Sequence, residues 1–209
     1  MAKIIPTILT SDIKDAQDKL DELAGLVDWV QIDLMDGQFV NNVSIKPEEL
    51  RQLKTTINLE VHLMVREPQP WLPYLSPDYF KRIYFHVEAV PKPRALIKQS
   101  KEKGFQIGLA LNVETPIAVI EPFVKMLDGV LFMSVTPGWQ GQSFSEAVLD
   151  KIRQFKQKYP DKIAAIDGGV NKSNIKSVAS AGADDIGVGS ALFKEGEIEQ
   201  NLKKLRKLI

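Results

Sequence analysis

Eight strand-like segments alternate with eight helix-like segments along the chain, and this alternation constrains the fold more than any other feature. The strand-like segments cover residues 3–9, 28–35, 58–65, 81–87, 105–111, 129–135, 162–167 and 184–189. The helix-like segments cover residues 11–25, 46–55, 68–76, 92–103, 115–125, 143–158, 172–181 and 194–208. Alternating β and α units predict parallel strands joined by crossover helices, and eight such units favour a closed barrel over an open doubly wound sheet. We therefore expect an α/β protein that forms one (β/α)8 TIM-barrel domain over residues 1–209.

Capping residues support the predicted helices. Ser11 predicts the start of the first helix, and Asn171 or Ser173 predicts the start of the seventh. Three glycines stand where helices should end: Gly25, Gly104 and Gly182.

The composition excludes several classes of function. Lys plus Arg and Asp plus Glu both number 27 in the 209 residues, so no net charge attracts nucleic acid or an anionic membrane. Cysteine is absent, which excludes disulfides, thiolate metal sites and a Cys nucleophile. No apolar run approaches the length of a membrane span, and the first strand begins without a signal peptide. We expect a cytoplasmic protein with neither a nucleic acid nor a membrane as its partner.

The stretch QIDLM at residues 31–35 places polar groups on one face of a strand. Residues alternate between the two faces of a strand, so Gln31, Asp33 and Met35 point one way and Ile32 and Leu34 the other. An amide and a carboxylate on the same face indicate a polar site rather than packing alone.

Polar residues lie at the carboxyl ends of several strand-like segments, namely Asp33, His62, His86, Ser134 and Asp167. The active sites of TIM barrels form at this rim. Asp33 and Asp167 would approach the mouth from different sides, which suits removal of a proton from one face of a carbon and its return on the other. With His62 they could also hold a divalent cation. His86 suits either substrate contact or a hydrogen-bonded structural role.

Glycine-rich turns follow the last strands. IDGGV places Gly168 and Gly169 after the seventh strand, and GVGSALF places Gly189 and Ser190 after the eighth. Glycine lets backbone N–H groups approach an anion, and phosphate sites after strands 7 and 8 recur in this fold. Together the two turns predict a phosphate site. The loop TPGWQGQSF at residues 136–144 is long enough to fold over a ligand.

Seven motifs, in this order and spacing, resemble those of the ribulose-phosphate 3-epimerase family. They are IIPTIL, WVQIDLMDGQFV, EVHLMV, FHVEA, MSVTPGWQGQSF, IDGGV and GVGSALF, and they run through nearly the whole chain. The resemblance implies a ribulose-phosphate-binding (β/α)8 barrel that interconverts D-ribulose 5-phosphate and D-xylulose 5-phosphate through an enediolate. It also implies a small phosphorylated ketose as substrate and assembly into a homo-oligomer.

The resemblance further implies roles for individual residues. Asp33 and Asp167 would be the two acid/base groups and, with His62, ligands of one divalent metal ion (zinc, iron, manganese or magnesium). Residues matched to substrate-binding positions are Thr7, Met35, His62, Met64, His86, Met133, Gly138, Gly141, Gly168, Gly169, Gly189 and Ser190. From residue type alone, the three methionines would be soft core filler.

Gln31 departs from the family pattern, because a metal-binding His is expected two residues before Asp33. A Gln carbonyl is a weak neutral ligand that shifts preference from zinc or iron toward magnesium or manganese. Alternatively the site holds no metal, and the amide donates a hydrogen bond to the enediolate. An epimerase for another ketose phosphate, such as a hexulose 6-phosphate, and a non-catalytic sugar-phosphate-binding relative also remain open.

Overall fold

A closed barrel of eight parallel strands forms the centre of the protein, in the order in which the strands occur along the chain. The computed structural model describes residues 2–139, 141–194 and 196–209. The strands are β1 (Lys3–Ile8), β2 (Trp29–Met35), β3 (Asn58–Met64), β4 (Phe80–His86), β5 (Gln106–Leu111), β6 (Gly129–Met133), β7 (Ile163–Asp167) and β8 (Asp185–Val188). The predicted TIM barrel is therefore confirmed. Among the described residues, no helix has both the length and the apolar character needed to cross a membrane.

In the described part of the chain, six α-helices pack outside the barrel. They are α1 (Ile13–Leu23), α2 (Pro93–Glu102), α3 (Ala147–Lys158), α4 (Ile175–Ser180), α5 (Ser190–Phe193) and α6 (Ile198–Arg206). Three predicted helical stretches contain only short 3₁₀ helices, at Pro47–Gln52, Gln69–Tyr74, and Ile117–Val119 with Val124–Met126. Proline explains the second and third differences, because it lacks the backbone N–H that an α-helix interior requires. The second stretch contains Pro73, and the third is divided by Pro122.

The predicted helix ends are correct, but the predicted N-caps are displaced. Asp12, not Ser11, caps α1, and its carboxylate accepts a hydrogen bond from the Lys14 N–H at 2.8 Å. Asn174 precedes α4, whereas Asn171 shapes the turn before it and accepts a hydrogen bond from the Ser173 N–H. The three predicted helix-terminating glycines all have positive φ: Gly25, Gly104 and Gly182.

The alternation along each strand separates two cores. Outward-facing residues such as Ile32 and Leu34 belong to a large apolar layer between the strands and the surrounding helices. A smaller cluster, which includes Tyr84, Leu131 and Ala165, fills the inside of the barrel. The predicted faces of β2 are therefore confirmed, and its polar residues point into the barrel.

Buried charges occupy the barrel interior below the mouth. The Arg82 guanidinium donates hydrogen bonds to Asp185 at 2.6 Å, to Glu60 at 3.0 Å and to the Tyr84 hydroxyl at 3.1 Å. It also stacks on the Trp29 ring at 4.6 Å. Burial, only partly opposed by the attraction of Arg82, raises the pKa of Glu60 to about 7.

Candidate active site

Two carboxylates and an imidazole converge at the mouth of the barrel. Asp33 on β2 and His62 on β3 are directly paired in strand register, and Asp167 ends β7 on another side of the barrel. Nδ1 of His62 lies 3.4 Å from Asp33 Oδ1 and 3.7 Å from Asp167 Oδ2. All three residues are buried. The structure therefore brings these three side chains together at the mouth, as the sequence predicts.

Gln31 joins the two carboxylates. Its amide nitrogen donates a hydrogen bond of 2.8 Å to Asp33 Oδ1 and one of 2.7 Å to Asp167 Oδ2. These are the same oxygen atoms that face His62 Nδ1. The amide N–H₂ group thus supplies partial positive charge between two carboxylates that would otherwise repel each other.

The electrostatics of the site follow from burial and from the paired acids. Burial, reinforced by the charge of Asp167, raises the pKa of Asp33 to about 6. Burial alone would lower the pKa of His62, but the attraction of the nearby Asp167 and Asp33 carboxylates outweighs it and raises that pKa to about 9. Two buried carboxylates this close favour a positive partner between them.

The donor set of this site fits a divalent cation. Ligand atoms of Asp33, His62 and Asp167 all lie within 4.8 Å of one another. His62 Nδ1 is buried and makes no hydrogen bond to any described residue. Imidazole nitrogen and carboxylate oxygen are common ligands of zinc, iron and manganese, and carboxylates also bind magnesium. These residues could therefore hold a metal ion, and the free nitrogen atom points toward the place where it would lie.

His86 stands behind His62 rather than at the surface of the site. Nε2 of His86 lies 2.9 Å from Nε2 of His62, and Nδ1 of His86 lies 3.3 Å from Glu88 Oε2. Burial lowers the pKa of His86 to about 4. Of the two roles that the sequence left open for His86, the structure shows hydrogen bonding.

Glu88 extends this buried group, although it is not among the site residues predicted from the sequence; it lies only two residues after His86. Its Oε1 accepts hydrogen bonds from the Asn112 N–H at 2.9 Å and from the Thr115 hydroxyl at 2.5 Å. Although burial alone would raise the pKa of Glu88, hydrogen bonds from His86, Thr115 and Asn112 lower it to about 2. The spacing HxE in FHVEA was the available signal.

A pocket opens above the two carboxylates. Of the predicted site residues, those that line it are Thr7, Asp33, Met64, Met133, Gly138, Gly141, Asp167, Gly168, Gly169, Gly189 and Ser190. The remaining predicted site residues, Gln31, Met35, His62 and His86, are buried outside this lining. The acids therefore share one pocket with the glycine turns predicted to bind phosphate.

The glycine turns have conformations that side chains would disturb. Gly168 and Gly169 follow β7 with φ of 111° and 60°. A Cβ at Gly169 would lie 2.8 Å from the carbonyl oxygen of Gln142 in the loop after β6. The Ser134 hydroxyl donates hydrogen bonds to the carbonyls of Asp167, at 3.1 Å, and of Gly168. The loops after β6 and β7 are therefore packed against each other beside the acids.

Described residues of the loop after β6 line the pocket, among them Gly138, Trp139 and Gly141. Asn42, in the loop after β2, donates a 2.8 Å hydrogen bond to the Gly138 carbonyl. Trp139 lines the pocket and is 59% exposed. Gln140 of this loop lies outside the described residues.

Known proteins resemble this chain over nearly its whole length. A sequence model described as the Ribulose-phosphate 3 epimerase family matches residues 3–193. The chain is 36% identical to the ribulose-phosphate 3-epimerase of Schizosaccharomyces pombe, covering 98% of this chain and 92% of that protein. It is 35% identical to the ribulose-phosphate 3-epimerase of Bacillus subtilis, covering 99% of both.

Solved structures of more distant proteins share the fold. The 3-hexulose-6-phosphate synthase of Salmonella typhimurium superposes with a TM-score of 0.75 at 15% identity, covering 99% of this chain and 97% of that one. At this identity the similarity concerns the barrel alone. The sequence matches reach much further, since they extend over nearly the whole chain and include the strands that carry the two acids. The chain belongs to the ribulose-phosphate 3-epimerase family.

Proposed function

We propose that the protein interconverts D-ribulose 5-phosphate and D-xylulose 5-phosphate by inverting C3. One observation carries the proposal: the carboxylates of Asp33 and Asp167 come from separate strands and meet at the amide of Gln31, at 2.8 and 2.7 Å. Epimerisation needs two proton-transfer groups, one for each face of the carbon. Family membership supplies the substrate, which the relatives carry in their name.

The two acids divide the proton transfer between them. Removal of the C3 proton by one carboxylate leaves an enediolate, because C3 is adjacent to the C2 carbonyl. The other residue, as a carboxylic acid, returns a proton to the opposite face. Burial and mutual repulsion favour one shared proton over two full charges, as the raised pKa of Asp33 indicates. A well-placed acid or base contributes about 10²- to 10⁴-fold in rate.

We further propose that Asp33, His62 and Asp167 hold a divalent cation. When bound, such an ion would act as a Lewis acid toward the negative charge of the enediolate. Support comes from the free Nδ1 of His62 and its two carboxylate neighbours. If the Gln31 amide group rotates by about 180°, its Oε1 replaces the N–H₂ group beside Asp33 and Asp167 and adds a neutral oxygen donor. This donor set favours magnesium or manganese over zinc.

The glycine turns are the proposed phosphate site. Gly168, Gly169, Gly189 and Ser190 line the pocket beside the acids. Their backbone N–H groups can approach an anion closely because glycine has no Cβ. Assembly into a homo-oligomer stays a prediction.

An epimerase assay on ribulose 5-phosphate tests the proposed reaction. We expect Asp33→Asn and Asp167→Asn each to lower kcat at least about 100-fold, with a much smaller change in KM. Asp36→Asn is the matched control, because Asp36 shapes the neighbouring turn by accepting hydrogen bonds from the N–H groups of Gln38 and Phe39. Full activity of either site variant would refute the assignment.

Metal dependence is tested separately through Gln31. We expect chelator to lower the activity of the wild-type protein and magnesium or manganese to restore it. Gln31→His should raise affinity for zinc more than for magnesium, measured by metal analysis and by titration. Wild-type activity that survives complete metal removal would refute the metal and leave the two-acid mechanism standing.

A further inference from the structure

A chain of buried hydrogen bonds runs from Glu88 to the proposed metal site. We propose that Glu88 acts as a positioning residue that sets, through His86, which ring nitrogen of His62 is free to bind a cation. The inference rests on the metal site of the proposed function. It concerns the position of protons on two imidazole rings, which can be observed without measuring activity.

The first step fixes the proton of His86. The carboxylate of Glu88 can only accept hydrogen bonds, and its Oε1 is occupied by the Asn112 N–H and the Thr115 hydroxyl. Its Oε2 faces Nδ1 of His86 at 3.3 Å. His86 therefore carries its proton on Nδ1, which leaves its Nε2 as an acceptor.

The proton position on His86 in turn determines which ring nitrogen of His62 donates. The Nε2 atoms of the two rings lie 2.9 Å apart, and both residues are fully buried. At that distance the pair shares one proton, since two N–H groups cannot point at each other. Because Nε2 of His86 accepts, Nε2 of His62 donates.

The consequence appears on the other side of the His62 ring. With a proton held on Nε2, Nδ1 is the ring nitrogen that faces Asp33 and Asp167, and a cation that binds there replaces only the proton on Nδ1. If Nε2 of His62 had no partner for its proton, the ring would keep its remaining proton on Nδ1, and that N–H would occupy the place of the cation. A metal-bound His commonly donates its second ring N–H to an oriented acceptor. Here the acceptor is the imidazole of His86, which the Glu88 carboxylate orients.

Contacts with a neighbouring helix and an aromatic ring hold the Glu88 end of these hydrogen bonds in place. The Lys151 ammonium on α3 donates to the carbonyls of Asn112 at 3.1 Å and Thr115 at 2.6 Å, and also to that of Val113. The loop that anchors Glu88 is therefore tied to a helix. The Phe39 ring also packs against His86, with the ring centroids 4.7 Å apart and the planes tilted by 42°.

Glu88→Gln reverses the direction of these hydrogen bonds with a minimal change of shape. The fixed N–H of Asn112 still requires an acceptor, so the Gln carbonyl takes the place of Oε1 and the N–H₂ faces His86. That group donates, which moves the His86 proton to Nε2 and leaves His62 with its proton on Nδ1. The protein has only two histidines, so ¹⁵N spectra of the imidazole groups resolve the tautomers directly. The His86→Gln variant, which retains only His62, assigns the signals.

The expected result has two parts. In metal-free protein, His86 should be protonated on Nδ1 in the wild type and on Nε2 in Glu88→Gln. Zn²⁺, used as a diamagnetic probe, should bind Glu88→Gln about 10- to 100-fold more weakly than wild type, the usual loss for a residue behind a metal ligand. Thr115→Val is the matched control, because it removes a hydrogen bond to Glu88 and leaves the carboxylate facing His86.

The outcomes separate this inference from the proposed function. An unchanged His86 tautomer in Glu88→Gln overturns the inference, as does an equal loss of Zn²⁺ affinity in Thr115→Val. If wild-type protein binds neither Zn²⁺ nor Mg²⁺, the metal part of the proposed function fails. The His86 tautomer in the metal-free proteins then still decides whether Glu88 sets the protons.

Discussion

Glu60→Gln should stabilise the protein at alkaline pH. Glu60 is a fully buried acid in the barrel interior, and its pKa is raised from 4.5 to about 7. Such a group contributes stability that is fully present below its unfolded pKa and is lost as the pH rises through its folded pKa. A neutral Gln avoids that loss. Arg82 stays paired in the variant, because Asp185 accepts its hydrogen bond at 2.6 Å.

The size of the effect follows from the two pKa values. The shift from 4.5 to about 7 corresponds to about 3 kcal/mol at pH 8, but only about 1 kcal/mol at pH 5, where the folded protein keeps Glu60 protonated. Losing the ionic contact with Arg82 opposes this gain, but burial is the largest cause of the shift. A gain of about 3 kcal/mol in a chain of this size raises Tm by about 6 to 12 °C.

Urea unfolding followed by circular dichroism at pH 5 and pH 8 measures the difference. Glu102→Gln is the matched control, since Glu102 is exposed on α2 and its ion pair with Lys98 is 3.8 Å long. We expect no pH-dependent change in that variant. A Glu60→Gln protein less stable than wild type at pH 8, or a gain of equal size at both pH values, would refute the reasoning.

Two residues of the pocket loops allow further tests. Gly169→Ala places a Cβ 2.8 Å from the Gln142 carbonyl in a residue with φ of 60°, so KM for ribulose 5-phosphate should rise at least about tenfold. Inorganic phosphate should also inhibit this variant more weakly, and unchanged values would contradict a phosphate site there. Trp139 is exposed at the pocket, so its fluorescence emission should shift to shorter wavelength when ribulose 5-phosphate binds. Trp139→Phe should lose that shift, and its persistence would assign the signal to Trp29 or Trp71.

Local patterns account for what the sequence predicts correctly. The period of two in a strand assigns Gln31 and Asp33 to one face and Ile32 and Leu34 to the other, whatever the neighbouring strands are. Alternation of strands and helices predicts the barrel, and the barrel in turn predicts that acids at strand ends meet. Asp33 and Asp167 are 134 positions apart, yet the topology alone brings them to the same mouth.

Apolar spacing alone misplaces some helices, because prolines and the hydrogen bonds of the first turn decide the local structure. Proline limits the predicted helices around residues 68–76 and 115–125 to 3₁₀ helices, although their apolar spacing favours an α-helix. The cap of α1 shifts by one residue, because Asp12 rather than Ser11 reaches the Lys14 N–H. Apolar periodicity identifies a helical region, but the hydrogen bonds of its first turn decide where the helix begins.

Tertiary structure alone decided which polar groups hold each other. No sequence pattern states that the Gln31 amide bridges two carboxylates, that Glu88 faces His86, or that Glu60 shares Arg82 with Asp185. The contacts of Gln31 with Asp167 and of Arg82 with Asp185 join side chains from different strands, and they depend on strand order, register and burial together. Glu88 and His86 are only two residues apart, yet they meet inside the same buried network. Residue types along the strands thus determined the barrel and the acids at its mouth, whereas hydrogen bonds formed only in the folded chain determined where the protons and charges lie.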